Sequence, residues 1–220
     1  MPIPEKYLVD FEEQGIYHVF NRTNNREKLF LSDENRFFFL KKYKEHLSSF
    51  IDTYCWCLLP NHFHLLVRVK SLAALRKGIE EKEFNSRSLT EKRFLDNQRT
   101  VSELIEQAFK RFFQSYALAF NKVYERKGNL FYKPFKRVVV DKETHFTQAI
   151  IYIHANAVKH GLTKDFTGYK WSSWHSLISD SDTVLLRKEV IDWFGTKTLF
   201  IKAHHELTDY YYESDISIED

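Results

Sequence analysis

The sequence predicts an α+β fold built on a mostly antiparallel sheet. Segments with strand and helix patterns follow one another as strand, helix, strand, strand, helix, strand and helix, which contains a βαββαβ unit. Only Pro60 and Asn61 separate the second and third strands, so these two form an antiparallel hairpin. The chain has 220 residues and is 43% hydrophobic, which is enough for one sizeable core. We expect a ferredoxin-like sheet with helices packed on one face, a further helix after the βαββαβ core, and a C-terminal extension.

The first half of the chain supplies a strand, a helix and the hairpin. Residues 15–21 have a strand pattern that ends in a turn-rich cluster. Apolar residues then recur at helical spacing as far as about Phe50, and Ser32 or Asp33 can cap this helix. Residues 52–59 are rich in β-formers and predict the second strand.

The second half is mainly helical. Residues 71–100 are polar and predict a solvated helix and surface loop, although their basic side chains could also contact nucleic acid. A long apolar stripe predicts a helix over residues 101–124 that Gly128 ends. Residues 130–140 predict a strand interrupted at Pro134, and residues 142–158 predict the helix after it.

Charge, cysteine content and the N-terminus suggest where and how the chain works. Basic residues outnumber acidic ones over residues 105–142, whereas residues 205–220 carry acidic residues and no lysine or arginine. This asymmetry predicts a cationic working surface and a solvated acidic tail. Cys55 and Cys57 are too close along one strand to bridge, so we expect free thiols in a reducing compartment. Residues 1–5 lack a signal-peptide pattern and no run reaches membrane-spanning length, which favours a cytoplasmic protein.

Two histidines separated by one phenylalanine open the third strand. Side chains two residues apart share a face of an extended chain, so His62 and His64 point one way and Phe63 the other. The face of Phe63 is uniformly apolar and predicts the core side, which leaves the histidine face for chemistry or solvent. Two imidazoles at this spacing can hold one metal ion, but ordinary surface or cross-strand histidines also occur in this pattern.

The helix over residues 142–158 supplies the second half of a candidate site. Its apolar stripe must pack on the sheet, and it comprises Phe146, Ala149, Ile150, Ile153 and Ala157. Beside the stripe, Tyr152 and Asn156 lie four residues apart and project together. A boundary tyrosine with a hydrogen-bonded asparagine would give the same pattern.

Several short segments form a joint pattern along the chain. They are YHVFNR at residues 17–22, LPNHFHLLV at 59–67, GNLF at 128–131, YIHANAVKHGL at 152–162 and WSS at 171–173. In this order they resemble the HUH (histidine-hydrophobe-histidine) single-tyrosine transposases, most closely the REP-associated tyrosine transposases of bacteria. The resemblance covers roughly residues 15–177. One departure is Ala157, where the family commonly has proline.

The resemblance implies a domain of that type over residues 15–178. Residues 71–100 have no clear match in the family and are expected to be a polar insertion, and the residue pattern over 179–220 predicts a helical extension with an acidic tail. It makes His62 and His64 ligands of a divalent metal ion, Mg²⁺ or Mn²⁺, with Asn156 as the third ligand. It makes Tyr152 a nucleophile that forms a 5′-phosphotyrosine and frees a 3′-hydroxyl. Such a bond keeps its phosphodiester energy, so a second DNA end can be joined without ATP.

The implied substrate is single-stranded DNA beside a hairpin or palindrome, processed at the nucleoid by a monomer or a homodimer. Six basic residues are candidates to follow its phosphates, and any of them could instead be an ordinary surface charge: Arg22, Lys110, Arg111, Lys133, Lys136 and Arg137. The alternatives are a domesticated, non-catalytic nucleic-acid binder, a metal-dependent phosphodiesterase that uses water, and an α+β domain with no site at all.

Overall fold

A four-stranded antiparallel sheet lies at the centre of the computed structural model, which describes residues 4–141 and 143–213. The strands are β1 (Ile16–Arg22), β2 (Ile51–Leu58), β3 (His62–Val69) and β4 (Lys136–Val139). Their order is β2-β3-β1-β4, and each neighbouring pair is antiparallel. The helices are α1 (Asp33–Leu47), α2 (Leu72–Glu80), α3 (Leu89–Leu95), α4 (Val101–Val123), α5 (Glu143–Lys159), α6 (Trp174–Ile178), α7 (Arg187–Phe194) and α8 (Lys197–Glu213). The predicted α+β, ferredoxin-like fold is confirmed.

One face of the sheet packs against α1 and α4. Phe63 on β3 is fully buried there, with its ring 5.1 Å from that of Phe39 on α1. Phe112 on α4 completes the contact, 4.8 Å from Phe39 between ring centres. Burying one such side chain contributes about 1.5–3 kcal/mol. The predicted core side of β3 is therefore confirmed.

The opposite face of the sheet, which carries the histidines, is turned toward α5. Leu66 on β3 and Ile153 on α5 are both fully buried in a second apolar cluster. Cys55 and Cys57 on β2 belong to the same cluster and are free thiols. This face is consequently not left for solvent: a helix covers much of it, and α8 packs on the outer side of that helix.

The two ends of α4 are closed in different ways. Thr100 and Glu103 form a reciprocal capping box at its start. At the other end, Glu125 takes a left-handed φ of 50° and the Arg126 amide bonds to the Asn121 carbonyl, which closes the helix. The prediction that Gly128 ends this helix was wrong, since Gly128 lies in the turn that follows.

Residues 71–100 form two short helices, α2 and α3, each begun by a serine. The Ser71 hydroxyl accepts from the Ala74 amide and the Ser88 hydroxyl from the Glu91 amide, and the Glu91 side chain completes a capping box in α3. The buried Glu91 carboxylate also pairs with Lys82 at 2.5 Å. Within the described part of the chain, no helix is both long and apolar enough to span a bilayer.

The strand predicted over residues 130–140 is shorter in the structure. Only Lys136–Val139 pairs with β1 as a regular strand. Pro134 has no amide hydrogen and cannot donate to a ladder, so the residues before it run irregularly. Phe131 still reaches the end of β1 through an isolated bridge to Thr23.

The C-terminal segment is more ordered than its acidic composition predicts. Phe200, His204 and Thr208 recur every four residues along α8 and are buried. This face packs against α5, so the predicted solvated tail does not begin at residue 205. Residues 214–220 lie outside the described residues, as does Lys142. The division into domains at residue 178 stays a prediction.

Candidate functional site

His62 and His64 begin β3 and lie on one face of it. Their ring centres are 5.2 Å apart. His62 is half-buried, whereas His64 is fully buried beneath α5. Within the described residues, no group of three His, Cys, Asp or Glu side chains is placed to hold a metal ion. A metal bound here would therefore need a donor of another type beside the two imidazoles.

The Nδ1 atom of each histidine has a defined partner. His62 Nδ1 lies 2.6 Å from the side-chain oxygen of Asn61, and His64 Nδ1 lies 2.9 Å from Nε2 of His18. An amide oxygen only accepts, so His62 carries its hydrogen on Nδ1. Nε2 is then the nitrogen that His62 offers to a metal, which is the arrangement that outer partners impose on ligating histidines.

Tyr152 projects from α5 onto this face of the sheet. Its ring meets the His64 ring edge-on, with centres 5.9 Å apart and planes at 89°. The His18 ring lies at 6.0 Å. Tyr152 is only 2% exposed, so its side chain lies between α5 and the sheet. Lys159 brings its Nζ to 5.8 Å from the phenol ring.

Asn156 lies one helical turn after Tyr152 and is 1% exposed. Its Nδ2 donates to the Tyr152 carbonyl at 2.8 Å. Its buried Oδ1 has no hydrogen-bond partner among the described residues. A buried amide oxygen without a donor is costly unless a ligand satisfies it. Two imidazoles with one amide oxygen suit a divalent ion, so the residues present fit the implied metal.

A pocket of about 290 Å³ opens beside His62. Arg22 and Lys136 bring positive charge to its wall, and His160 places its ring 4.7 Å from that of His62. Tyr132 is 40% exposed at the same wall, with the Arg22 guanidinium 5.3 Å from its ring centre. The pocket therefore combines cationic groups with an aromatic surface, which is suitable for a phosphate and its base.

The six predicted phosphate contacts do not form one track. Arg22 and Lys136 reach the pocket, whereas Lys110 and Lys133 are exposed at a neighbouring groove along α4. Arg111 is exposed elsewhere on α4, which packs on the other face of the sheet. Arg137 is 3% exposed and pairs with Glu106 at 2.5 Å, so it is placed inside the protein.

Four neighbours of the site were not predicted from the sequence: His18, Asn61, Lys159 and His160. His160 follows Tyr152 by eight residues and Asn156 by four, so helical spacing alone could have found it. His18 meets His64 only because β1 pairs with β3 in one register, with Phe20 opposite His64. No local pattern reports that register.

A second buried histidine pair lies on the other side of α5. His154 Nδ1 is 2.9 Å from His204 Nε2, and His154 Nε2 is 2.9 Å from the Ser173 hydroxyl. His204 Nδ1 meets the Phe200 carbonyl at 2.8 Å. Burial lowers the pKa of His204 to about 3, and burial next to His204 lowers the pKa of His154 well below its usual value. Both imidazoles are therefore neutral at physiological pH.

No protein-family model and no curated protein sequence matches the chain. Among solved structures, the chain is similar to a REP-associated tyrosine transposase bound to a REP hairpin, with a TM-score of 0.54. The two are 15% identical, and the likeness covers 84% of this chain and 93% of that chain. At this level of identity the likeness shows that the two proteins share a fold.

Proposed function

We propose that this protein is a transposase-like enzyme that cuts single-stranded DNA beside a hairpin, with Tyr152 as the nucleophile. The observation that carries the proposal is the position of Tyr152, whose ring is held edge-on to His64 on the histidine face of β3. A phenol beside two candidate metal ligands is the constellation that a tyrosine-linked strand cleavage needs. The shared fold with a transposase that binds hairpin DNA supports the same conclusion.

In the proposed reaction, the phenol oxygen of Tyr152 attacks the scissile phosphorus. The bond from phosphorus to the 3′ oxygen breaks, the phenol loses its proton to solvent, and the departing oxygen gains one. The products are a 5′-phosphotyrosine and a free 3′-hydroxyl. The ammonium group of Lys159, 5.8 Å from the ring centre, stabilises negative charge that develops on the phenol oxygen.

His62, His64 and Asn156 would hold a divalent ion, Mg²⁺ or Mn²⁺, which supplies Lewis-acid stabilisation to the phosphate oxygens. The protein itself orients the ligands, since Asn61 accepts from Nδ1 of His62 at 2.6 Å. Arg22 and Lys136 provide charge for the phosphates that flank the cut.

The burial of Tyr152 bears on how DNA enters. At 2% exposure the phenol cannot contact a phosphate until its ring or α5 moves. The pocket beside His62, of about 290 Å³, has the size of a single nucleotide, whereas a duplex is too wide and stiff to enter it. We therefore assign the protein a single-stranded substrate and a role in DNA transposition or in processing of repeated palindromes. The corresponding location is the cytoplasm, at the nucleoid; action as a homodimer stays a prediction.

The test is to incubate the protein and Mn²⁺ with one DNA sequence as a single strand, a hairpin-flanked strand and a blunt duplex. We expect a covalent adduct with the hairpin-flanked strand that mass spectrometry maps to Tyr152. Tyr152→Phe should abolish the adduct and leave DNA binding within roughly twofold, since only the nucleophilic oxygen is lost. Tyr132→Phe is the matched control and should keep the adduct.

Four outcomes would contradict the proposal. Cleavage without an adduct would identify a phosphodiesterase that uses water. Binding without cleavage would identify a non-catalytic nucleic-acid binder. An adduct on Tyr132 or Tyr169, or equal cutting of the duplex, would place the active site or the substrate elsewhere.

A further inference from the structure

His18 on β1 is a further histidine at the site, and neither the sequence motifs nor the proposed metal set assigns it a role. It is 1% exposed, and its Nε2 lies 2.9 Å from Nδ1 of His64. Its ring stacks on Phe20, with centres 4.9 Å apart and planes at 28°. This packing fixes the plane of His18 and hence the direction of its bond to His64.

One hydrogen is shared between the two facing nitrogens, which allows two arrangements of neutral imidazoles. In the first, His64 donates from Nδ1 to His18, and the lone pair of His64 is on Nε2. In the second, His18 donates from Nε2, and the hydrogen of His64 sits on its own Nε2. A metal can bind His64 Nε2 only in the first arrangement, because a protonated ring nitrogen has no lone pair to give.

We propose that His18 is a positioning residue that accepts the Nδ1 hydrogen of His64 and so keeps the Nε2 lone pair of His64 directed toward a divalent metal ion. This inference rests on the proposed function, which it deepens by assigning the outer partner of one ligand. Asn61 has the same task for His62, but an amide oxygen can only accept, whereas His18 must itself carry its hydrogen on Nδ1. The two ligands are thus oriented by partners on different elements, β1 and the β2–β3 turn.

The test compares two substitutions at this position. A glutamine amide oxygen can reach roughly the place of Nε2 and accept, so His18→Gln should retain the bond; His18→Leu fills the space without an acceptor. Mn²⁺ affinity is measured by calorimetry on the full chain without DNA. We expect His18→Leu to weaken Mn²⁺ binding about 10- to 100-fold, and His18→Gln to stay within about fivefold of the wild type.

Ring-nitrogen NMR of the metal-free wild type gives the second readout. His64 should be protonated on Nδ1, and in His18→Leu the hydrogen should move to Nε2. His145→Leu is the matched control, since His145 is exposed at the start of α5 and pairs with Asp141. It should leave both the Mn²⁺ affinity and the His64 spectrum unchanged.

The outcomes separate this inference from the proposed function. Wild-type protein that neither binds Mn²⁺ nor forms an adduct would overturn the proposed function. Wild-type protein that does both, while a folded His18→Leu binds Mn²⁺ equally well or His18→Gln is as weak as His18→Leu, would overturn the role of His18 alone. If His18→Leu fails to fold, the wild-type spectrum decides: a hydrogen on His64 Nε2 contradicts the proposal.

Discussion

Two buried histidine pairs flank α5, and they share one hydrogen-bond length. His18 and His64 are 2.9 Å apart on the sheet side, and His154 and His204 are 2.9 Å apart on the outer side. The outer pair is tied to other groups at both ends: His204 Nδ1 donates to a backbone carbonyl, and Ser173 donates to His154 Nε2. The sheet pair instead adjoins the rings of Tyr152 and His62.

The difference shows that a hydrogen bond between two buried imidazoles can serve the packing of helices and strands or the chemistry of a site. Because the Phe200 carbonyl can only accept, His204 carries its hydrogen on Nδ1 and accepts at Nε2 from His154. His154 then accepts from Ser173, whose Oγ in turn accepts from the Trp56 amide of β2. This series of hydrogen bonds joins β2, α5 and α8, and it gives every ring nitrogen of the outer pair a partner. The outer pair is therefore structural, while the proposed role of the sheet pair is to orient a metal ligand.

Among the substitutions that test this comparison, the largest effect on stability is expected at His154. His154→Ala removes a fully buried imidazole and leaves the Ser173 hydroxyl and His204 Nε2 without their partner. We expect the free energy of unfolding to fall by about 3 kcal/mol. Urea titration followed by circular dichroism measures the change.

His62→Ala is the matched control, because His62 is half-buried on the sheet side. It should lower the free energy of unfolding by about 1 kcal/mol or less but abolish Mn²⁺ binding. A destabilised His62→Ala beside a fully stable His154→Ala would reverse the two assignments.

Acid should lower the free energy of unfolding through the outer histidine pair. Burial lowers the pKa of His204 to about 3, while the unfolded chain has an ordinary histidine pKa of about 6.5. The unfolded state therefore binds the proton first, so the stability from neutral His204 is full above pH 6.5 and is lost as pH falls toward 3. From pH 7 to pH 5 this loss amounts to about 2 kcal/mol.

The measurement is the free energy of unfolding of wild type and His204→Leu at both pH values. The groups that face His204 are His154 from α5 and His205 on its own helix. Removal of His204 should make the stability about 2 kcal/mol less sensitive to pH over this range. His205→Leu, at an exposed neighbour, should retain the wild-type dependence. Equal dependence in wild type and His204→Leu would show that His204 does not set it.

The sequence predicted what depends on local pattern and missed what depends on register. Alternation along β3 separated Phe63 from His62 and His64, and the structure buries Phe63 in the core as expected. The diagonal contact of His18 with His64 requires knowledge of which β1 residue faces which β3 residue. Arg137 illustrates the same limit, since its charge predicted a surface role until the fold placed Glu106 beside it.

A helical extension beyond residue 178 was predicted, but the burial of one face of α8 was missed, for a different reason. Its acidic residues suggested solvent exposure, but Phe200 and His204 lie on one face of α8, and that face covers α5. Sparse apolar positions in a polar segment are a weak signal until the surface that they cover is known. The hydrogen bonds of Ser173 could not be predicted from the local sequence either, because its partners lie on β2 and α5.

The smallest expected effect distinguishes His18 from Asn61, the hydrogen-bond partners of the two proposed metal ligands. His18 is buried, whereas Asn61 and His62 are both half-buried beside the pocket, where water can replace a lost acceptor. Asn61→Ala should therefore weaken Mn²⁺ binding only about threefold, well below the loss expected for His18→Leu. Asn61→Asp keeps an oxygen at this position and serves as the control, with binding equal to or tighter than that of the wild type. The comparison is made by calorimetry under one set of conditions, and an Asn61→Ala loss as large as that of His18→Leu would show that burial does not decide the strength of these partners.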